Sequence, residues 1–162
     1  MPVSIRKYHD TDLKEMIDIW NEIVREGNAF PQIEELNVES AELFFENQSF
    51  TGVAADQDSV AGLYILHPNN IGRCAHIANA SYAVKSGLRG EKIGEKLVLH
   101  SMEKAKELGF RVLQFNAVVV TNTIALRLYK KLGFTQLGVI PGGFLSMKNE
   151  YMDIIPHFIE LQ

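Results

Sequence analysis

Apolar positions recur along the chain with two periods, and each period marks an element. Residues 3–7 alternate apolar and polar and predict a short strand. Leu13, Met16, Ile17, Trp20, Ile23 and Val24 fall three or four apart, on one helix face. That helix starts behind the capping run His9-Asp10-Thr11-Asp12 and stops at Gly27. A loop with Pro31 covers 30–38, and 39–47 predicts a short second helix with Leu43 and Phe44 inward. Residues 50–55 and 60–66 predict two strands joined by a polar turn at 56–59. A loop over 67–73 leads to a third strand at 76–84.

The second half alternates strand with helix. A turn-rich run at 85–90 precedes a helix over 91–108, stopped by Gly109. Residues 112–120 form a β-branched strand, and Thr121-Asn122-Thr123 opens a shorter helix that ends at Gly133. A strand over 134–140, a turn at Pro141-Gly142-Gly143 and a last strand within 151–159 complete the chain. The order β-α-α-β-β-β-α-β-α-β-β predicts an α+β (mixed α/β) sheet protein. Its 162 residues suit one domain over 1–162.

Composition removes several function classes. Apolar residues make up 46% and charged residues 22%, enough for a sizeable core. The net charge of −4 and dispersed lysines and arginines give no basic stripe, so no nucleic-acid partner is expected. No run approaches 18 apolar residues, and the first residues lack the apolar core of a signal peptide. The expectation is a cytoplasmic protein with no membrane partner. Cys74 is the sole cysteine, which excludes an intrachain disulfide and cysteine-rich zinc modules. No metal is expected, and Cys74 reads as a small apolar filler rather than a nucleophile.

Strand, glycine-bearing turn, then helix makes an anion site. The first helical turn has N–H groups without helical partners, and the dipole adds positive charge there. Gly87, Gly90 and Gly94 let a pyrophosphate approach the backbone, and Arg89 and Lys92 add charge to the same turn. Neither a Walker A loop nor a dinucleotide fingerprint is present. One strand later comes a second box, Asn122, Ala125, Tyr129, Gly133 and Phe134. Asn122, or Thr121 beside it, can cap the helix, and Ala125 and Tyr129 share one face.

Together the boxes resemble the GNAT acetyltransferase superfamily. Its first motif, Q/R-x-x-G-x-G/A, overlies Arg89-Gly90-Glu91-Lys92-Ile93-Gly94, and its second overlies 122–134. Lys92 departs from the usual first glycine. The resemblance implies a mostly antiparallel mixed sheet with helices on both faces, and a homodimer. It implies acetyl-CoA between the strand ending at Val84 and the strand from Val112, and direct attack by an amine. The cofactor contacts it implies are Tyr82, Ala83, Val84, Arg89, Gly90, Lys92, Ile93, Gly94, Asn122 and Tyr129, with Tyr129 giving a proton to the leaving thiolate.

Pro68-Asn69-Asn70, Arg73-Cys74, His76, Asn79-Ala80, Phe115-Asn116 and Thr121-Asn122 also look like yeast acetyltransferases of azetidine-2-carboxylate and proline-type imino acids. Phosphinothricin-type acetyltransferases look similar too. That likeness implies Asn79 and Asn116 as substrate contacts, and Asn79 joins Tyr129 as an expected catalytic residue. Phe30 is an expected pocket wall. His76 reads as a structural histidine, and Glu34 and Glu35 as solvated loop charges. The expected function is acetyl transfer to the amine of a small amino or imino acid. The competing readings are a protein N-terminal or lysine acetyltransferase and a silent CoA-binding sensor.

Overall fold

The computed structural model describes residues 2–57 and 59–162; Asp58, within the expected 56–59 turn, lies outside them. The strands are β1 (Ser4–Lys7), β2 (Phe50–Asp56), β3 (Ser59–Pro68), β4 (Ile77–Val84), β5 (Val112–Val119), β6 (Thr135–Gln136), β7 (Ile140–Leu145) and β8 (Tyr151–Glu160). The helices are α1 (Leu13–Glu26), α2 (Val38–Glu46), α3 (Ile93–Glu107) and α4 (Thr123–Lys131). The sheet order is β1-β2-β3-β4-β5-β8-β6, with β7 also on β8. Among the described residues only β4 and β5 run parallel. The expected mixed, mostly antiparallel sheet with helices on both faces is what forms.

α1 begins where Asp12, itself buried, takes both guanidinium N–H groups of Arg6 at 2.7 and 3.0 Å and the His9 N–H at 2.7 Å. It ends at Gly27, whose φ of 64° is the left-handed cap that favours glycine. Met16, Ile19, Trp20, Ile23 and Val24 bury one face of the sheet with Phe45 of α2. Leu97, Val98 and Ala105 of α3, with Leu128 and Tyr129 of α4, cover the other. Gly62 of β3 allows that close approach, since a Cβ there would sit 2.8 Å from the Ala83 carbonyl oxygen and 3.3 Å from Ile93.

Four sequence expectations change. Leu43 is 62% exposed, because α2 turns Ala41 and Phe45, four apart, into the core, with Phe44 beside them. The strand expected over 134–140 shrinks to Thr135–Gln136, and Pro141-Gly142-Gly143 lies inside β7 rather than in a turn. The pairing of β7 with β8 slips between Ile140 and Phe144, so a bulge absorbs the two glycines and the sheet gains an eighth strand. Cys74 is exposed and packs as no filler, in a single 3₁₀ turn between β3 and β4.

The feature that positions the site is how briefly β4 and β5 pair. Their backbone contact is limited to Ile77 opposite Val112 and Ala78 opposite Leu113. It is seeded by the His76 carbonyl, which accepts the N–H of Arg111 at 2.9 Å. His76 is exposed, and its backbone makes this contact. β5 then follows β8 through a bulge between Phe115 and Val118 and parts from β4.

Candidate active site

Two cavities share the opening between β4 and β5. The larger, about 660 Å³, is lined by Tyr82, Val84, Leu88, Arg89, Gly90, Lys92, Ile93, Gly94, Asn122 and Tyr129 among others. The smaller, about 170 Å³, is lined by Phe30, Asn79, Tyr82, Phe115, Asn116, Asn122 and Tyr129 among others. Ala29, Tyr82, Asn122, Ala125 and Tyr129 line both, so the cavities meet at these side chains. A volume in the hundreds of cubic ångströms suits a cofactor-sized ligand.

The register of β3 and β4 decides which N–H groups face the opening. Lys85 donates to the Ala61 carbonyl at 2.9 Å, and the Ile77 carbonyl accepts from Asn69 at 2.7 Å. Odd-numbered β4 residues therefore pair with β3, and even-numbered ones turn their N–H groups the other way. Beyond Ala78 that side has no β5 backbone. The N–H groups of Tyr82 and Val84 thus face the opening, whereas Ala83 turns its N–H to β3 and buries its side chain under α1. Ala83, expected as a cofactor contact, lies outside the cavity walls.

The turn into α3 carries its own donors. Gly87, Gly90 and Lys92 have φ of 85°, 95° and 63°. A Cβ on Gly87 or Gly90 would meet nothing within 4 Å, so backbone handedness alone calls for glycine there. Lys92 adopts the same left-handed region as the residue capping α3, which is where the family motif has glycine. Glu91 donates to Leu88, and Lys96 donates to Lys92 in the first helical bond. Among the described residues, the N–H groups of Arg89, Gly90, Lys92, Ile93, Gly94 and Glu95 have no protein acceptor. A run of orphan donors at a helix N-terminus is what a pyrophosphate requires. The Arg89 side chain turns back to α1, 2.8 Å from Glu26 and 3.8 Å from Glu22.

Two partly buried tyrosines stand where the cavities meet, and they differ in one respect. Ser101 donates its hydroxyl hydrogen to the Val98 carbonyl at 2.7 Å, so Tyr82, 2.6 Å from the same oxygen, donates to Ser101. Tyr129 packs its ring on Phe115, Phe134 and His157, with centroids 4.5, 5.4 and 5.6 Å away. Its hydroxyl has no hydrogen-bond partner among the described residues. Burial pushes both hydroxyls well above the usual tyrosine range. Asn122 caps α4 by accepting the Ala125 N–H at 3.2 Å, leaving its amide NH₂ at the junction.

The smaller cavity is edged by a chain of amides. Asn79 donates to the Gln114 carbonyl at 2.9 Å, Gln114 donates to Asn116 at 3.1 Å, and Asn116 donates to Asn69 at 2.6 Å. Among the described residues no charged side chain lines this cavity. Phe30 closes it from α1's side, its ring tilted 36° against Trp20 at 4.4 Å between centroids. Glu35 is exposed and pairs with Arg25 at 2.6 Å, and Glu34 is exposed. Asn69 and Gln114 were not expected here. Gln114 was readable as Asn116's neighbour on the same strand face, two residues away. Among the described residues no acidic, His or Cys group is arranged to hold a metal, and no helix is long and apolar enough to cross a membrane.

Comparison with known proteins agrees with this geometry. The chain belongs to the acetyltransferase (GNAT) family, whose model matches residues 13–134. A GCN5-related N-acetyltransferase from Kribbella flavida is 33% identical, with a TM-score of 0.90 and 98% of each chain covered. A phosphinothricin acetyltransferase from Sinorhizobium meliloti, solved with acetyl-CoA, shares the fold at a TM-score of 0.91 and 20% identity, covering 99% of this chain and 89% of that one. The N-acetyltransferase aca1 of Schizosaccharomyces pombe is 35% identical over 96 residues, 59% of this chain and 46% of the relative. The chain therefore spans less than half the length of the curated relatives it matches.

Proposed function

We propose that this protein moves an acetyl group from acetyl-CoA to the amine of a small amino or imino acid, within one domain over 1–162. The observation that carries the reading is the meeting of two cavities at Tyr129, one rimmed by orphan N–H groups and the other by amides. Bound acetyl-CoA would supply a thioester carbon open to attack. The N–H groups of Arg89 to Glu95 outside the turn bonds would hold its pyrophosphate, with Lys92 adding charge. The N–H groups of Tyr82 and Val84 would hold the acetyl oxygen and the adjoining chain, and an oxyanion donor of that kind contributes ~3–4 kcal/mol to rate.

Tyr129 is the proton donor in this scheme, because Tyr82 has already committed its hydrogen to Ser101. Burial raises its pKa above the usual tyrosine range, so near neutral pH the hydroxyl holds a proton to give as the thiolate forms. Asn79 is held through its NH₂, which leaves its carbonyl oxygen to accept from the attacking amine. Asn116, clamped by Asn69 and Gln114, presents the second amide.

The pocket's size and lid favour a small acceptor over a peptide. Ala29, Phe30 and Pro31 wall one side. The β7–β8 hairpin also closes onto the end of α1, since a Cβ on Gly27 would lie 2.7 Å from the Met147 Cβ. A homodimer in the cytoplasm belongs to the same reading. The exposed Leu137, Val139, Leu145 and Tyr151 around β6–β8 are the apolar surface that such pairing would cover. The exposed Cys74 thiol fits a reducing compartment. Thiol release from acetyl-CoA, screened against proline analogues, amino acids, phosphinothricin, polyamines and short peptides, tests the substrate class. Release with peptides and with none of the free amino or imino acids overturns it.

A further inference from the structure

The large cavity is walled by carboxylates as well as cations, an unusual lining for a polyanion. Glu26 and Glu95 line it together with Arg89 and Lys92. Glu95 has an outside partner, since Lys131 of α4 reaches it at 2.9 Å. Among the described residues Glu26 pairs with Arg89 alone, at 2.8 Å, and Glu22, one helical turn earlier on α1, lies 3.8 Å from the same guanidinium. The chain thus holds the one arginine of its phosphate loop on two acids of α1, which lie some sixty residues earlier in sequence.

We propose that Glu26 competes with the phosphates of coenzyme A for Arg89 and so sets the affinity of the site. The inference rests on the acetyl-CoA reading above. Both partners are roughly half exposed, and exposed ion pairs are weak. The pyrophosphate, with one charge on each phosphate, offers Arg89 bidentate oxygens and two negative charges against the single charge of Glu26, and it outcompetes one carboxylate. When Arg89 turns to the phosphate, Glu26 is left unpaired on the wall of the same cavity. When the product leaves, Glu26 takes Arg89 back. The acid therefore lowers affinity for acetyl-CoA and for product CoA alike, and this favours release.

Calorimetric titration of the full chain with coenzyme A tests this directly, with Glu26→Gln, Arg89→Gln and the double variant. Glu26→Gln is expected to bind coenzyme A about 3- to 10-fold tighter at low salt, with the gain shrinking at 0.5 M salt as screening shortens. In the Arg89→Gln background the same substitution is expected to gain less than about twofold, since the competition is gone. Glu22→Gln, the more distant acid, is expected to gain less than Glu26→Gln. Unchanged or weaker binding by a folded Glu26→Gln protein overturns the proposal, as does an equal gain with and without Arg89. Failure of the wild-type chain to bind coenzyme A at all overturns instead the acetyl-CoA reading.

Discussion

The Asn79 side chain donates to the Gln114 carbonyl at 2.9 Å, one residue beyond the last backbone pair between β4 and β5, Ala78 and Leu113. A side chain thus makes the final cross-link before the strands part. The same bond fixes the amide's orientation and leaves its oxygen free in the smaller cavity, the acceptor pocket of the proposed function. Asn79→Ala removes both roles. It is expected to cost about 1 kcal/mol of stability, a fall in Tm of about 2–4 °C. The KM for the acceptor should rise at least about tenfold while the KM for acetyl-CoA changes little. A variant with normal acceptor kinetics would assign Asn79 to the sheet alone.

Tyr82 and Tyr129 allow a paired test. Tyr129→Phe should lower kcat by about 10²-fold. Its Tm should stay the same or rise, because the lost hydroxyl has no partner while the ring contacts remain. Tyr82→Phe should do the reverse, keeping most of kcat and losing stability as Ser101, wholly buried, loses its donor. Kinetics and thermal denaturation of both variants check this. Equal losses of kcat would contradict the division of roles.

Lys92 holds a left-handed backbone that L side chains adopt at a cost of about 1–2 kcal/mol. Lys92→Gly should therefore be more stable than Lys92→Ala by about 1 kcal/mol in urea titrations. Both variants lose the ammonium, so both should bind acetyl-CoA equally more weakly if the charge matters. The difference in stability reports the backbone, and the shared change in binding reports the charge.

His157 is fully buried on β8 against Tyr129, with Nδ1 2.8 Å from the Ile155 carbonyl and Nε2 without a partner. The Nδ1 therefore carries the hydrogen. Burial lowers its pKa, opposed in part by the Ile155 bond. The unfolded chain takes the proton first as pH falls below about 6.5. The stability this group contributes is therefore full above that value and is lost as pH drops through the lower folded pKa. Urea midpoints should fall between pH 7.5 and 5, and fall less steeply in His157→Phe. His100, also lowered by burial, accounts for slope that remains. Identical slopes would remove His157 as a cause.

Much of this was legible in the sequence because the residues concerned act locally. Helical spacing from Leu13 to Val24 located α1, Gly27 located its end, and Asn122 its predicted capping role. The left-handed turn showed itself through Gly87 and Gly90, and the two boxes gave the family. What escaped depends on contacts between distant segments. Nothing in the local pattern links Glu26 to Arg89 or Asn69 to Asn116. Ala83 lies between Tyr82 and Val84, which line the cavity, but turns its N–H to β3, and only the pairing register shows which N–H groups β3 consumes. The Pro141-Gly142-Gly143 run carried turn residues yet entered a bulged strand, since β8 supplied partners on both sides of it.

The central claim is that acetyl transfer occurs where the cofactor cleft meets an amide-lined pocket for a small amine. Steady-state thiol release from acetyl-CoA, measured with wild type and Tyr129→Phe across the amine panel, tests it most directly. The account predicts turnover with at least one free amino or imino acid, and an about 10²-fold lower kcat for the variant on that substrate. Turnover with peptides alone, or equal rates for the two proteins, would contradict it.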